Sequence, residues 1–427
     1  MELKLNYTFP EKTKKFTFMV MGAGLLMLII GIVWHLMGGD HADHTAHEQQ
    51  EGHHEGHGHG AELSTRLWAN LLVNAFFFMG IGLGATFFMA LKYGSEAYYA
   101  TVFKRVYEAI SRFLWPWGFA FMAVVLLAGA FGLHHLYHWM DPDVYNPASD
   151  HYDEKIAEKG VYFGWFFWLR FFLFFGVWIW IQQKLLKNSL EEDMIGGTRL
   201  HYKNVTLSAI FLVFFGFTSS VAAWDWMMSL DAHWFSTMFG WYIFSGIWIS
   251  AIITILMTVL YLKDNGYLEY VNENHVHDLG KWVFAISFLW TYLFFCQFML
   301  IWYANIPEEV TYFQNRLETN GYTFIFWTMF FVNFAFPMLL LMSRDSKRNR
   351  KYLIFVSLII FFTHWVDIFV IVMPSTVASH WRLGFVEIGM FLLFLGFLIN
   401  RILTALTKAP LLPTKHPYLE ESIHHHY

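Results

Sequence analysis

Ten long apolar stretches run through this chain and limit the folds it can adopt. They cover residues 16–37, 67–91, 113–139, 161–186, 205–230, 235–262, 282–305, 322–342, 352–373 and 383–407. At 1.5 Å per residue, about 20 apolar residues cross the roughly 30 Å hydrocarbon core of a bilayer as an α-helix. The pattern predicts an all-α integral membrane protein with ten transmembrane helices.

Composition agrees with this prediction, because 56% of the 427 residues are hydrophobic and 14% are charged, whereas soluble domains carry about 25% charged residues. The first stretch has a basic flank but spans 22 residues without a small-residue cleavage pattern. It is therefore predicted to be a retained helix and not a signal peptide.

The distribution of Lys and Arg predicts the orientation. The two termini and the connections on their side hold 22 of these residues, the opposite connections hold 5, and Arg170 lies within a span. Since cytoplasmic loops retain positive charge, we expect both termini in the cytoplasm, with residues 408–427 as a cytoplasmic tail.

A weak repeat indicates internal organisation. Four residues recur at one constant offset: Trp68, Phe78, Gly80 and Ile81 return as Trp234, Phe244, Gly246 and Ile247. We expect two four-helix bundles, formed by spans two to five and six to nine, with the first and last helices at the periphery.

Residues 40–60 form a His-rich segment, predicted to be a periplasmic loop. Its weak candidate metal ligands are His41, His44, His47, His53, His54, His57 and His59. The intervening Gly and Gln fix no coordination geometry, so we expect a solvated loop without a metal. The single cysteine, Cys296, provides neither a disulfide nor a thiolate cluster.

Ionisable residues inside spans are costly in hydrocarbon and therefore informative. The candidates for proton handling all fall in the predicted outer half: Arg170, Asp225, His364, Asp367 and Glu387. One interpretation is a structural cluster; the other is a pocket that exchanges protons. We expect Arg170 to contact one of the three carboxylates, with Asp225 in a pairing or capping role. Asp367 is the predicted titrating group, because His364 shares its helix face and could relay a proton.

The connection WDWMMSLDAHWFSTMFGWY, residues Trp224 to Tyr242, is predicted to form an outer hairpin that closes this pocket. Asp231 and His233 lie at its tip, where Asp231 could cap the next helix and His233 could be a surface residue. Glu308 and Glu309 occupy the next connection on the same predicted side.

Three motifs carry a family resemblance: WDWMMSLDAHWFSTMFG at residues 224–240, YANIPEE at 303–309 and THWVD at 363–367. Together they resemble the polysulfide-reductase-like, NrfD-type membrane proteins of alternative complex III. The chain is most similar to the member designated F, with the related member designated C as the other assignment. The resemblance covers residues 16–407, apart from the His-rich loop.

The resemblance implies a subunit of a quinol-oxidising respiratory complex in the bacterial inner membrane. Its implied partners are an iron-sulfur protein, haem c proteins, a homologous ten-helix protein and, as a further candidate, a terminal oxidase. Haem c and iron-sulfur clusters are expected on those partners. Quinol and lipids are the expected ligands of this chain, with no covalently bound cofactor and no nucleic-acid partner.

The sequence lacks the ligand patterns of iron-sulfur clusters and haems, and this limits the role of the chain within such a complex. It has no CxxC, and its few intramembrane histidines, His35, His134, His135, His138 and His364, do not form the pairs at two depths that b haems require. We therefore expect a subunit without its own redox centre that contributes scaffold and proton handling. The alternatives are the quinol-binding subunit itself and an independent ion transporter.

The charge distribution gives a test of topology. In a Cys296→Ala background, Ser149→Cys should react with an impermeant thiol reagent in intact cells, whereas Ser346→Cys should react only after permeabilisation. Labelling of both positions in intact cells would contradict the predicted topology.

Overall fold

The computed structural model of this protein describes residues 5–37 and 59–426, with side chains from residue 63 onward in the second range. The described residues are helical and contain no β-strand. Within them, ten helices are long and apolar enough to cross a membrane, which confirms the predicted fold class. We number them α1 (Glu11–Leu36), α2 (His59–Gly94), α3 (Tyr98–Ala130), α4 (Trp165–Ile195), α5 (Arg199–Trp226), α6 (Met238–Asp264), α7 (Glu273–Ala304), α8 (Thr323–Leu340), α9 (Arg350–Thr376) and α10 (Phe385–Leu406).

Short helical turns fill most of the connections. They are His138–Met140, Pro142–Tyr145, Glu154–Glu158, Gly160–Phe163, Met228–Leu230, Pro307–Gln314, Asn315–Thr319, Arg344–Arg348, Ala378–His380 and Leu419–Ile423.

The helix α3 departs most from the prediction, which placed its span at residues 113–139. It is built from a 3-10 turn at Tyr98–Phe103, a helix at Lys104–Ser111, a π turn at Leu114–Gly118 and a helix at Phe119–Ala130. Its last helical residue is Ala130, so the predicted intramembrane histidines His134, His135 and His138 lie in the following connection. Apolar residues continue past the helix end, so hydropathy alone placed the boundary too late.

The helices from α2 to α9 form two groups. In the second group, α6 packs on α7, α7 on α8, α8 on α9 and α9 on α6, which closes a four-helix bundle. In the first, α2 packs on α3 and α5, α4 packs on α5, and Phe119 of α3 contacts Phe171 of α4. The groups meet where α2 crosses α6, with the Cβ position of Gly80 only 2.9 Å from Ile247. This packing agrees with the predicted bundles.

The helices α1 and α10 form an antiparallel pair at the periphery. A Cβ atom on Gly24 would lie 2.5 Å from the backbone nitrogen of Leu393, and one on Gly389 would lie 2.6 Å from that of Leu28. Small residues allow such close backbone approach between membrane helices. Thr17 and Asn400 add a hydrogen bond of 3.2 Å near one end of the pair.

The first and last described segments of the chain lie on one face of the molecule, where Leu411 donates its backbone N–H to the carbonyl of Leu5 at 2.7 Å. We call this the terminal face, and the face that carries the Trp224–Tyr242 connection the hairpin face. Residues after α10 fold back on the terminal face, and Tyr418 stacks on Tyr98 at 3.8 Å.

The glycine contacts between α1 and α10 give a matched test. Gly24→Ala should lower stability by about 1–3 kcal/mol through overpacking. Gly22→Ala is the control, because its added Cβ meets none of the described residues within 4 Å. It gains the same intrinsic preference for the helix as Gly24→Ala, but without a clash. Thermal denaturation in detergent measures the difference, and equal stability of the two variants would show that the close helix contact is absent.

Candidate functional site

The Trp224–Tyr242 connection packs onto the Pro307–Gln314 helix of the hairpin face. Trp234 is buried and stacks on Tyr312 at 3.9 Å. Its indole N–H donates to the carbonyl oxygen of Glu309 at 3.1 Å. Trp241, in contrast, is 62% exposed and faces outward. The connection is therefore a packed hairpin, in which only some of the aromatic residues form an outer surface.

Two polar residues at the hairpin tip have contacts that the sequence did not reveal. Asp231 does not cap α6, since that helix begins after Thr237 without a side-chain cap. Burial raises the pKa of Asp231, while Arg316 and His233 oppose this shift. His233 pairs with Asp153 at 2.7 Å and so ties the hairpin to the connection between α3 and α4.

The first buried cluster joins α4 to α5. The Arg170 guanidinium donates to both carboxylate oxygens of Asp225, at 2.7 and 2.8 Å, and Tyr162 adds a third donor at 2.8 Å. The ring of Tyr162 lies 3.9 Å from the guanidinium carbon. This confirms that Arg170 contacts a carboxylate. A bidentate pair of this kind gives each buried group a partner of opposite formal charge and favours a structural role.

The second cluster joins α2 to α10 and includes Glu387. Its carboxylate accepts two hydrogen bonds from Arg66, at 2.8 and 3.0 Å, and one from Asn70 at 3.0 Å. It also accepts the backbone N–H of Gly384 at 2.9 Å, which caps the start of α10. These contacts favour a structural role for Glu387 over the predicted role in proton handling. Sequence reasoning assigned Arg66 to a loop and missed this partnership.

The third cluster surrounds Asp367 in the second bundle, where the residue is 2% exposed. Its carboxylate accepts hydrogen bonds from the Tyr242 hydroxyl and from the Trp290 indole N–H, the latter at 3.0 Å. Both donors are neutral, so no direct ion pair with a described residue offsets the cost of burying a charge here. Asp367 therefore differs in kind from Asp225 and Glu387.

A small cavity connects Asp367 with polar groups toward the hairpin face. Its volume is about 10 Å³, and its walls include Tyr242, Gln297, Tyr312 and Arg316, so it has room for about one water molecule. The guanidinium of Arg316 donates to the carbonyl oxygens of Tyr312, Val370 and Ile371 at 2.7–3.1 Å.

On the other side of Asp367, His364 is 2% exposed, and neither of its ring nitrogens has a hydrogen-bond partner among the described residues. Its ring lies against Trp290 at 5.3 Å. The backbone of Gly246 borders both side chains, since a Cβ there would lie 3.8 Å from His364 Nδ1 and 3.9 Å from Asp367 Oδ2. His364 and Asp367 thus face the same small-residue position on α6.

Hydroxyl groups continue from Gly246 toward the terminal face. Ser250, Thr254 and Thr258 follow at four-residue intervals on α6, and each donates to the carbonyl four residues earlier at 2.8 Å. Near the end of α6, the hydroxyl of Tyr261 donates to Thr13 at 3.0 Å. Neighbouring hydroxyls are about 6 Å apart along the helix, so proton movement along this row requires water between them.

The five predicted residues therefore belong to three clusters with different partners, and do not form one pocket. The partners that sequence reasoning missed are Arg66, Tyr162, Tyr242, Trp290 and Arg316. Tyr242 is the last residue of the segment that the sequence singled out, although the structure places it in α6. Its place in that segment was the one sequence signal that could have identified it as a partner of Asp367. In the sequence, Arg316 was counted only among the five positively charged residues of the connections opposite the termini.

A groove on the hairpin face lies beside the first cluster. It has a volume of about 600 Å³ and is bordered by aromatic side chains that include Tyr162, Phe166, Trp224 and Phe235. Volumes of 300–1,000 Å³ are typical of small-molecule sites. Tyr162 connects this groove to Asp225.

Comparison with protein-family models and with curated proteins found no match to this chain. The His-rich loop lies outside the described residues except for the backbone of His59 and Gly60, so its weak metal candidates stay untested.

The Arg170–Asp225 pair gives a stability prediction. Asp225→Asn should cost about 3–5 kcal/mol, because it leaves a buried guanidinium without its counter-charge. Lys187→Ala breaks an exposed pair with Glu191, where the side chains are 69% and 41% exposed, and should cost about 1 kcal/mol or less. Similar melting temperatures for the two variants in detergent would contradict a buried structural pair.

Proposed function

We propose that this chain is a membrane subunit of a quinol-oxidising respiratory complex of the alternative complex III type, and that Asp367 exchanges protons in it. The proposal joins two kinds of support: the motif resemblance and the ten-helix fold. The observation that carries it is a buried carboxylate held by neutral donors, between a cavity and a row of hydroxyls. In this proposal the terminal face is cytoplasmic, and the redox partners bind at the hairpin face of a bacterial inner membrane.

Oxidation of a quinol releases two protons and two electrons. The electrons would pass to iron-sulfur and haem c centres of partner subunits, since the sequence offers no redox centre in this chain. The protons need groups that can be both protonated and ionised. Asp367 meets this need better than Asp225 or Glu387, because its hydrogen-bond donors carry no charge.

On the hairpin side, a proton leaving Asp367 would reach the small cavity that Gln297 and Arg316 help to enclose. The fixed charge of Arg316 repels a proton and favours its release toward Asp231. Burial raises the pKa of Asp231, and the Arg316 guanidinium reduces that rise. Asp231, at the hairpin tip, would be the last group of such a route, reached through water beyond Arg316.

On the terminal side, a proton would move through water among Ser250, Thr254 and Thr258. His364 stands between this row and Asp367, and its two ring nitrogens, without partners among the described residues, can accept or donate. This imidazole thus suits the relay that the sequence predicted at this position.

The decisive variant is Asp367→Asn, which keeps the shape of the side chain but removes the exchangeable proton. In an assembled complex with normal haem content, proton release per quinol should fall while the other subunits remain bound. Asp150→Asn, an exposed carboxylate change in the connection after α3, should leave proton release unchanged. Unaltered turnover and unaltered proton yield in Asp367→Asn would favour the structural interpretation.

The aromatic groove supports a second candidate function, in which this chain itself binds the quinol head group. Tyr162 would contact the head group, and Asp225 behind it would orient the Tyr162 hydroxyl. Both carboxylate oxygens of Asp225 already accept hydrogen bonds from Arg170, so its role in this candidate function is to position Tyr162.

The two functions make different predictions for Tyr162→Phe. Quinol binding in the groove predicts a several-fold higher KM for quinol with unchanged proton yield per turnover. An unchanged KM, with the Asp367→Asn defect intact, would leave proton handling as the role of this chain.

A further inference from the structure

A further buried polar cluster lies on the terminal face, away from the three clusters around Asp225, Glu387 and Asp367. It brings together Glu192 near the end of α4, His201 near the start of α5, and His416 from the segment after α10. Glu192 and His201 are 0% exposed and His416 is 6% exposed. Three separate parts of the chain thus meet at one point away from solvent.

One ring nitrogen of each histidine and one carboxylate oxygen of Glu192 face a common point, and these three atoms lie within 4.8 Å of one another. His201 Nδ1 lies 3.8 Å from Glu192 Oε1, and His416 Nε2 lies 4.0 Å from Glu192 Oε2. These separations are too long for hydrogen bonds. Neither Glu192 Oε1 nor His201 Nδ1 has a hydrogen-bond partner in the described part of the chain, although both atoms are buried. Burying such atoms without partners is costly, so their convergence needs an explanation.

The outward atoms of the two rings are held by other groups. His201 Nε2 lies 3.3 Å from the hydroxyl of Tyr98, and His416 Nδ1 lies 3.3 Å from the backbone nitrogen of Tyr418. These contacts leave His201 Nδ1 and His416 Nε2 turned toward Glu192. His201 Nε2 can donate its proton to the Tyr98 hydroxyl, as metal-binding histidines commonly donate their second ring nitrogen. His416 Nδ1 accepts the backbone N–H of Tyr418, so a metal at Nε2 would move the ring proton to Nδ1 and replace that contact.

We propose that Glu192, His201 and His416 form a binding site for a divalent transition metal, with zinc as the best-fitting ion. Two imidazoles and one carboxylate are a common zinc ligand set, completed by a water molecule. The three ligand atoms lie within 4.8 Å of one another, and a point equidistant from three atoms at that limit lies about 2.8 Å from each, compared with about 2.0–2.1 Å for zinc to imidazole. Closure by less than about 1 Å completes the coordination.

Two positively charged side chains, Lys104 and Arg105, lie near the proposed metal site. Lys104 Nζ lies 2.9 Å from Glu192 Oε2, which leaves Oε1 as the oxygen for the metal. The guanidinium of Arg105 pairs with Glu108 and Asp193, so the connected group holds three carboxylates and two cations. Its excess of negative charge offsets part of the repulsion between Lys104 and the metal.

The role of such a metal would be to hold the C-terminal segment against the helices. That segment also contacts the helices directly. Its contacts include the stacking of Tyr418 on Tyr98, a 2.6 Å hydrogen bond from Lys415 Nζ to the carbonyl of Met194, and the pairing of His425 with Asp278 at 2.8 Å. Bound zinc would join it directly to both α4 and α5. The site is independent of the proposed proton route in the second bundle.

The test uses the full-length chain in detergent, with the other zinc-binding candidates replaced by glutamine: His41, His44, His47, His53, His54, His57, His59, His424, His425 and His426. Zinc affinity is measured by competition with a chromophoric chelator, and heat stability with and without zinc. This parent should bind one zinc ion and gain heat stability. His201→Ala and His416→Ala should each weaken zinc binding at least about tenfold and abolish the gain, whereas His135→Ala should do neither.

X-ray absorption of the zinc-loaded parent provides a measurement that does not depend on the folding of those variants. Imidazole scattering from two ligands, with oxygen in the remaining positions, is the expected result. A zinc environment without imidazole, or equal zinc binding by the parent and both alanine variants, would overturn the proposal.

Discussion

The helices of this protein are held in place by charged side chains that find partners of opposite charge inside a largely apolar assembly. Hydrocarbon offers no hydrogen bonds, so a buried charge must find its partner within the protein. Arg170 and Asp225 meet this condition between α4 and α5, and Arg66 and Glu387 meet it between α2 and α10. Each pair joins two helices through two hydrogen bonds, so their geometry also fixes how those helices sit together. These pairs give two of the three predicted intramembrane carboxylates a structural role.

Asp367 is the exception, and the proposed function follows from that difference. Its donors, Tyr242 and Trp290, are neutral, and the ring nitrogens of its helix neighbour His364 have no partner among the described residues. The cavity toward Arg316 lies on one side and the hydroxyls of α6 lie on the other. A structural carboxylate would gain stability from a cation, whereas a proton-exchanging carboxylate must remain stable in both of its forms. The arrangement around Asp367 suits the second requirement.

The sequence predicted those features that depend on local pattern. Apolar length predicted ten helices, the repeat predicted two groups of four helices, and similar depth predicted that Arg170 would contact a carboxylate. It did not predict partners that depend on helix rotation and on distant segments, such as Arg66 for Glu387. Nor did it show that His416 returns to the helix ends, because a short polar tail carries no periodic signal. The break within α3 was missed because a π turn leaves hydropathy unchanged.

In the proposed function, the Asp367 carboxyl group gains and loses a proton during turnover. Infrared difference spectroscopy of the assembled complex, recorded between its oxidised and quinol-reduced states, detects such a change at a carboxyl group. We expect a carboxyl carbonyl band that changes between the two states, shifts in heavy water and disappears in Asp367→Asn. A difference spectrum in which the carboxyl region is identical in the native complex and in Asp367→Asn would contradict the proposed function.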